Sequence, residues 1–513
     1  MGLATLLSRI LGMAREMVYA RFMGDGMVAS AFFYAFQVPN LFRRLLGEGA
    51  LTAAFIPLFK EREMQEGEKA MWEVANATLS ALITACSLVV ALLLLVSTAM
   101  LHGLSLSFET MLFLKLMRWM SPYVLMVCIA AILMGTLNAR GYFFIPALGA
   151  TTMNLIMIAS VFWIAPGFGT ELIDQINGLA IGILVAGMAQ TCFQCPLLFK
   201  EGFRFRWIHP WKNETVRRLI QRILPGIVGV AAFQINILLT NAIAFSHGDH
   251  IVASFNYATR LMELPQGVFG VSLATFMLPM LSGLAAEKKY GAFQAGLRQG
   301  MQYLIFANWI ATTLTLVLAE PIVRLLFEGE RFDSSATQRA ALALQCLIPG
   351  LVSFSLVNIL ARAFFALGEV TLTMRISLLS LTCNLVFAFF LIPTFKQAGM
   401  GLSNALSSLI NLGFLWYAMQ RKFPNMQVKE MIRPTLWIMG AGIFAALIAW
   451  IASRSCDAYL SLESKFHQTL MVFIPLCLGL ATYGGLTFVL KIEACLDILK
   501  LFRQKLDKIG SKV

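Results

Sequence analysis

One pattern governs what this chain can become. Long apolar runs, each able to cross a bilayer, alternate with short connections rich in Lys and Arg. The runs fall at about 1–22, 27–58, 74–102, 112–137, 144–165, 176–199, 219–246, 251–283, 299–319, 338–361, 376–393, 399–420, 434–453 and 468–490. A spanning helix needs roughly 20 apolar residues, and inside hydrocarbon it satisfies its backbone amides within itself. The runs show no period-2 alternation, so they read as helices rather than barrel strands. The expected fold is an all-α polytopic membrane protein with about 14 transmembrane helices. Composition agrees: 13% of the 513 residues are charged, against roughly a quarter in a soluble domain.

The net charge of +13 is explained by where the basic residues lie. An even number of spans puts both termini on one side. The connections on that side, with the C-terminal tail, carry 26 of the 40 Lys and Arg, and the opposite side carries 6. Positive charge is retained on the cytoplasmic face, so both termini are expected in the cytoplasm of an inner-membrane protein. No nucleic acid is needed to account for the charge. The basic, aromatic linker 200–218 and the tail 491–513 are expected to lie on anionic lipid. In the tail Leu496, Leu499, Phe502, Leu506 and Ile509 share one helical face. No cleavable signal peptide is visible, because Arg9 and Arg15 interrupt the first run.

An internal repeat organises the chain. Residues 24–30 read G-D-G-M-V-A-S and residues 248–254 read G-D-H-I-V-A-S; L-T-A-A-F-I-P at 51–57 is echoed by L-A-T-F-M-L-P at 273–279. The period of about 222 residues equals six helices, so the copies share one orientation, a parallel repeat about an axis along the membrane normal. The expected domains are a six-helix lobe at 1–199, the linker, a six-helix lobe at 219–420, two further helices at 434–490 and the tail. A substrate path would run between the lobes, lined by helices 1, 2, 7 and 8.

Charges inside the runs are the strongest functional signal. Arg9 lies eight residues from the start of the first run, and Arg15 lies nine residues before the Gly24-Asp25 turn. At 1.5 Å per residue that is roughly 12–14 Å from an interface. Arg43 and Arg260 also fall near mid-membrane, and Pro39 can kink the long second helix. A mid-bilayer arginine costs roughly 3 kcal/mol or more and almost always faces a cavity or a partner. Local pairs such as Arg44–Glu48 and Arg260–Glu263 are one outlet. The set Arg9, Arg15, Arg43 and Arg260 still outnumbers Glu16, Glu48 and Glu263, which leaves a net positive cavity suited to an anion. The guanidinium fork matches phosphate and carboxylate. Lys115 and Arg118 lie nearer a helix end and are expected to snorkel.

Other chemistry finds no support in the sequence. There is no G-x-x-x-x-G-K-S/T loop to carry an ATP motor, and no H-E-x-x-H or G-x-S-x-G. Cys192 and Cys195 have no second ligand pair nearby and read as packing. The chain is expected not to be an enzyme.

The segment S-R-I-L-G-M-A-R-E (8–16), followed by D-G-M-V-A-S-A-F-F-Y-A-F-Q-V-P-N-L-F-R-R-L-L-G-E-G-A (25–50), resembles the MurJ/MviN family of lipid II flippases. Y-A-T-R-L-M-E-L-P-Q-G-V-F-G-V (257–271) resembles the same family. The resemblance implies the fold of the multidrug/oligosaccharidyl-lipid/polysaccharide exporter superfamily with two added helices that form a groove for a lipid tail. It implies a role in peptidoglycan synthesis, with lipid II (undecaprenyl-diphosphate-disaccharide-pentapeptide) as substrate, and membrane lipids and peptidoglycan synthesis proteins as partners. It assigns Arg9, Arg15, Arg43 and Arg260, with Ser8 and Asn40, to the substrate, and Glu48, Glu263, Glu16 and Pro39 to gating or charge balance. Members often carry Asp where this chain has Ser30 and Thr259. No cofactor is expected; a sodium ion near Asn236, Asn241 and Asn384, or the membrane potential, would be the energy source. The alternatives are another lipid-linked oligosaccharide flippase or drug exporter of the superfamily, or a non-transporting scaffold. A cation exporter should instead show net acidic membrane charge.

Overall fold

The computed structural model describes residues 2–47, 50–210, 213–424, 428–460, 464–497 and 500. In chain order the helices are α1 (Gly2–Met23), α2 (Met27–Phe42), α3 (Ala50–Glu66), α4 (Glu68–Gly103), α5 (Phe108–Met120), α6 (Tyr123–Ala139), α7 (Phe144–Trp163), α8 (Leu172–Lys200) and α9 (Glu214–His247). They continue with α10 (Ile251–Pro265), α11 (Ser272–Ala286), α12 (Tyr290–Phe327), α13 (Ser334–Leu347), α14 (Gly350–Ala366), α15 (Val370–Lys422), α16 (Val428–Tyr459) and α17 (Lys465–Val489). Among the described residues, nine helices are long and apolar enough to cross a membrane, or up to eleven if each of two bent pairs is one span. Three features hold that number below the fourteen runs of the sequence, one being that the run 27–58 is divided between α2 and α3. Arg9, Arg15 and Glu16 all lie in α1. In addition α15 takes in both 376–393 and 399–420, joined across the non-helical Lys396 (φ 51°).

The repeat is visible as shared irregularities. A π-helical turn at Arg43–Gly47 interrupts the span begun by α2, and another at Gln266–Val271 separates α10 from α11. Pro39 precedes the first by four residues and Pro265 immediately precedes the second. Proline supplies no N–H to the helical ladder, and a widened turn is one way for a helix to absorb the defect. The pairs α5–α6 and α13–α14 are likewise bent, by 40° and 45°, before Tyr123 and Gly350, each bend carrying a proline, Pro122 or Pro349.

Packing divides the chain into two compact units, residues 1–253 with 329–332, and 254–328 with 333–513. This differs from the division at the 200–218 linker that the repeat suggests. The reason is that α9 packs against α2, α3 and α4. Phe245 of α9 lies 5.5 Å from the Tyr34 ring of α2, which itself stacks on Phe113 at 4.4 Å. In the first unit, small residues bring helices together: a Cβ on Gly182 of α8 would lie 2.3 Å from Ser160 of α7. The linker is pinned to α4. Asn76 donates to the Arg204 carbonyl (3.1 Å) and accepts from the Arg206 amide (2.9 Å), and Phe203 is buried against Trp72. Phe205 and Trp207 remain exposed beside Arg204 and Arg206.

In the second unit α16 and α17 pack on α12. A Cβ on Gly442 would meet Trp309 at 2.4 Å, and the Trp309 indole donates to the Met439 carbonyl at 3.1 Å. Close approach at small residues with an interhelical hydrogen bond is how helices associate in lipid, where no hydrophobic drive separates helix from solvent. Outward faces are apolar instead: Leu88, Leu92 and Leu95 of α4 are all more than half exposed. The chain is a multi-pass membrane protein.

Candidate functional site: intramembrane arginines

Arg15 is largely enclosed, with its side chain 11% exposed. One terminal nitrogen pairs with Glu16 at 2.5 Å. The other donates to Asn154 Oδ1 of α7 at 3.0 Å and approaches the Met157 sulfur at 3.7 Å. Its guanidinium carbon lies 5.9 Å from the centre of the Tyr19 ring. Glu16 is therefore the charge partner of Arg15, and the guanidinium is held in one orientation. Asn154 also donates to the Ser8 carbonyl at 3.3 Å, so one amide spans two turns of α1. The sequence reading missed Asn154. The signal available was a lone amide in the apolar run 144–165, a residue type that pairs between membrane helices.

Arg9 is exposed and makes no ion pair among the described residues. Arg43 opens the π-helical turn. Its Nε donates to Asn40 Oδ1 at 2.8 Å, and its backbone N–H is shared between the Pro39 and Asn40 carbonyls. The widened turn and the asparagine together fix where this guanidinium starts. Glu48 lies outside the described residues, so its pairing with Arg44 is not described. In the second unit Arg260 pairs with Glu263 at 2.9 Å, one helical turn away, and both side chains are more than a third exposed. An exposed pair of this kind contributes little to stability.

Ser30 and Thr259 are both satisfied locally. Ser30 is fully buried; its hydroxyl donates to the Asp249 carbonyl at 2.5 Å and accepts from the Ala253 amide at 3.2 Å. Only a group that both donates and accepts fits there, and an ionised carboxylate accepts only. Nearby, buried Asp25 faces His250 at 3.4 Å, while Gly24 (φ 67°) turns the chain against the Arg331 carbonyl. Thr259 donates to the Phe255 carbonyl one turn back at 2.8 Å.

Asn236 and Asn241 lie on α9 in the first unit, and Asn384 lies in the second, where its amide donates to Ser407 at 3.2 Å. The described residues contain no group of three or more His, Cys, Asp or Glu that could hold a metal ion. At the ends of α3, α6 and α8, Arg140 joins Glu63 (2.8 Å), Glu201 (3.0 Å) and Glu68 (3.3 Å), and Tyr142 donates to Glu201 at 2.7 Å. Hydrogen bonds from Tyr142 and then Arg140 hold the Glu201 carboxyl below its ordinary range. Those from Lys60 and Arg140 do the same for Glu63.

The family model described as lipid II flippase MurJ matches residues 19–473 of this chain. The chain belongs to that family. A probable lipid II flippase MurJ of Bdellovibrio bacteriovorus is 29% identical, with 96% of this chain and 94% of the relative covered. One from Buchnera aphidicola is 30% identical over 84% of each. The lipid II flippase MurJ of Burkholderia cenocepacia is 28% identical, covering 87% of this chain and 88% of its own. Among solved structures, a lipid II flippase MurJ in an inward closed conformation aligns with TM-score 0.77 at 21% identity, covering 95% of this chain and 99% of that one. An inward-facing multidrug resistance MATE transporter aligns at TM-score 0.69 and 15% identity, over 81% and 94%. These likenesses give the fold. The arginine motif in residues 8–16 begins before the matched region.

Proposed function

We propose that this protein is a transporter that moves lipid II, an undecaprenyl-diphosphate-linked disaccharide-pentapeptide, from the cytoplasmic to the periplasmic leaflet by alternating access. The observation that carries the reading is a set of mid-helix arginines, Arg9, Arg15, Arg43 and Arg260, in a chain whose family model spans nearly its whole length. The diphosphate is the one part of such a substrate with fixed negative charge next to the lipid anchor. Arginine forks bind it bidentately, and little water competes at that depth. Arg15 arrives pre-oriented by Asn154 and Glu16, and Arg43 by Asn40. Arg260 would exchange its contact with Glu263 for the substrate, so that the carboxylate returns as the anion leaves. Rocking of the lobes would then turn the headgroup from one leaflet to the other, while the undecaprenyl tail stays in lipid along α16 and α17. The 26-to-6 bias in basic residues supports cytoplasmic termini in an inner membrane.

The test is complementation of cells depleted of their own flippase, with membrane levels checked by blot. Alanine at Arg9, Arg15, Arg43 or Arg260 is expected to abolish growth while the protein still inserts, and depletion is expected to accumulate lipid II. Lysine keeps the charge and loses the fork, so it is expected to restore function poorly. Losing one charged hydrogen bond costs roughly 1.5–3 kcal/mol, about ten- to a hundredfold in affinity. Normal growth of three of the four alanine variants at normal expression would refute the anionic site and with it the substrate class.

A further inference from the structure

Two short segments, each continuing directly into the second unit, close over the turn between α1 and α2. Residues 248–253 end at Ala253, and the second unit begins at Ser254. Residues 329–332 pack in the first unit although the chain on both sides of them belongs to the second. They form a tight hairpin in which the Gly329 and Phe332 amides each donate to the other's carbonyl, at 3.1 and 3.2 Å. Arg331 donates to the Phe22 carbonyl at 3.0 Å and lies over the Phe22 ring, and Gly329 rests on the Arg21 side chain. Gly24 fits under the Arg331 carbonyl because it has no Cβ and takes φ 67°. The other segment is held by Ser30, which bonds the Asp249 carbonyl and the Ala253 amide.

His250 distinguishes the two copies of this turn. The first copy reads G-D-G at 24–26 and the second G-D-H at 248–250, so the imidazole stands where the first copy has Gly26. Its Nδ1 lies 3.4 Å from Asp25 Oδ1 and 3.3 Å from the Asp25 carbonyl. The Asp25 side chain is 4% exposed and that of His250 45%. A carboxylate walled into the first unit therefore meets an imidazole that solvent protons reach. Histidine gains its proton as pH falls through about 6.5. The elements that meet here also carry Arg21, His247, Asp249, Glu330 and Arg331. The two arginines keep their charge throughout, Asp249 and Glu330 are exposed carboxylates, and the exposed His247 bonds the Ile243 carbonyl of its own helix at 2.8 Å. We propose that this clasp is a pH-sensitive latch on the membrane face opposite both termini, tight when His250 is protonated and released when it is neutral. In the alternating-access reading, on which its part in transport rests, the protonated latch holds back opening towards the periplasm. A half-exposed ion pair shifts such an equilibrium by about two- to fivefold.

Val252 is buried in the clasp, so the thiol of Val252→Cys reports its opening, and the readout needs neither lipid II nor transport. The full chain in lipid nanodiscs is labelled with a maleimide at about pH 5.5 and about pH 7.5, either side of the imidazole's range. Protein with only its nine native cysteines gives the background. Dividing each rate by that of Tyr459→Cys, at a residue 89% exposed, removes the thiol's own pH dependence. The corrected rate is expected to be about two- to fivefold lower at the acid pH. His250→Gln and Asp25→Asn are each expected to abolish that difference. His250→Lys, charged at both pH values, is expected to label slowly at both. Gly24→Ala, which cannot pass under Arg331, is expected to label fast at both. A corrected rate that does not change with pH would overturn the latch, as would a change that persists in His250→Gln. A change lost in His247→Gln and kept in His250→Gln would place the switch on the other histidine, and that too refutes the proposal.

Discussion

Asn154→Ala is expected to damage transport without touching a single charge. The Asn154 side chain supplies one hydrogen bond to Arg15 at 3.0 Å and one to the Ser8 carbonyl at 3.3 Å, and the residue is buried. A hydrogen bond to a charged group contributes about 1.5–3 kcal/mol, and a neutral one about 0.5–1.5 kcal/mol. Alanine removes both, but Glu16 still holds Arg15 at 2.5 Å, so the guanidinium stays in place with more rotational freedom. The expected stability loss is therefore at the low end, roughly 2 kcal/mol. The larger effect is on function, since an arginine no longer held in orientation gives back the advantage of preorganisation. Affinity for a lipid-linked diphosphate is expected to fall about tenfold, equivalent to roughly 1.4 kcal/mol. The assay pairs thermal unfolding in detergent with lipid II binding and with complementation. Asn154→Gln keeps an amide and is expected to recover part of the loss. Native-like melting, binding and growth of Asn154→Ala would show that Glu16 alone orients Arg15, and the role argued for Asn154 would fall.

Two further outcomes follow from the same geometry. Ser30→Asp places a carboxyl against the Asp249 carbonyl; ionised, it cannot donate, and the unmet group costs about 1–3 kcal/mol. The variant is expected to melt below native protein at pH 7, and an equal melting temperature would refute this. Arg140→Ala removes the cation shared by Glu63, Glu201 and Glu68, and is expected to cost roughly 1–2 kcal/mol, since partly exposed pairs contribute up to about 1 kcal/mol each. Because Glu63 and Glu201 titrate low in the folded protein, the native cluster stabilises fully above about pH 4.3 and loses that stabilisation as pH falls through the folded values. Melting curves of Arg140→Ala should show a shallower acid decline than native protein, and parallel curves would sink the idea.

The class of fold is legible in the hydropathy of the chain alone. Apolar runs of spanning length leave helices as the structure that satisfies their amides in lipid, and the repeat of G-D-x-x-V-A-S fixed a two-fold architecture. The charge of the site is legible there too, because arginines such as Arg9, Arg15, Arg43 and Arg260 are conspicuous wherever neighbours are apolar. Both facts are one-dimensional: hydropathy and charge are properties of residues, readable without knowing what touches what. Tertiary structure decided the partners. That Asn154 holds Arg15 across a sequence distance of 139 residues, that Ser30 serves the chain near Asp249, and that α9 packs in the first unit depend on which helix faces meet. The π-helical turn that starts at Arg43 was also hidden, since Pro39 announces a defect in the ladder but not how the helix absorbs it. A long-range side-chain contact leaves no periodic trace in either segment, so only the packed helices reveal it.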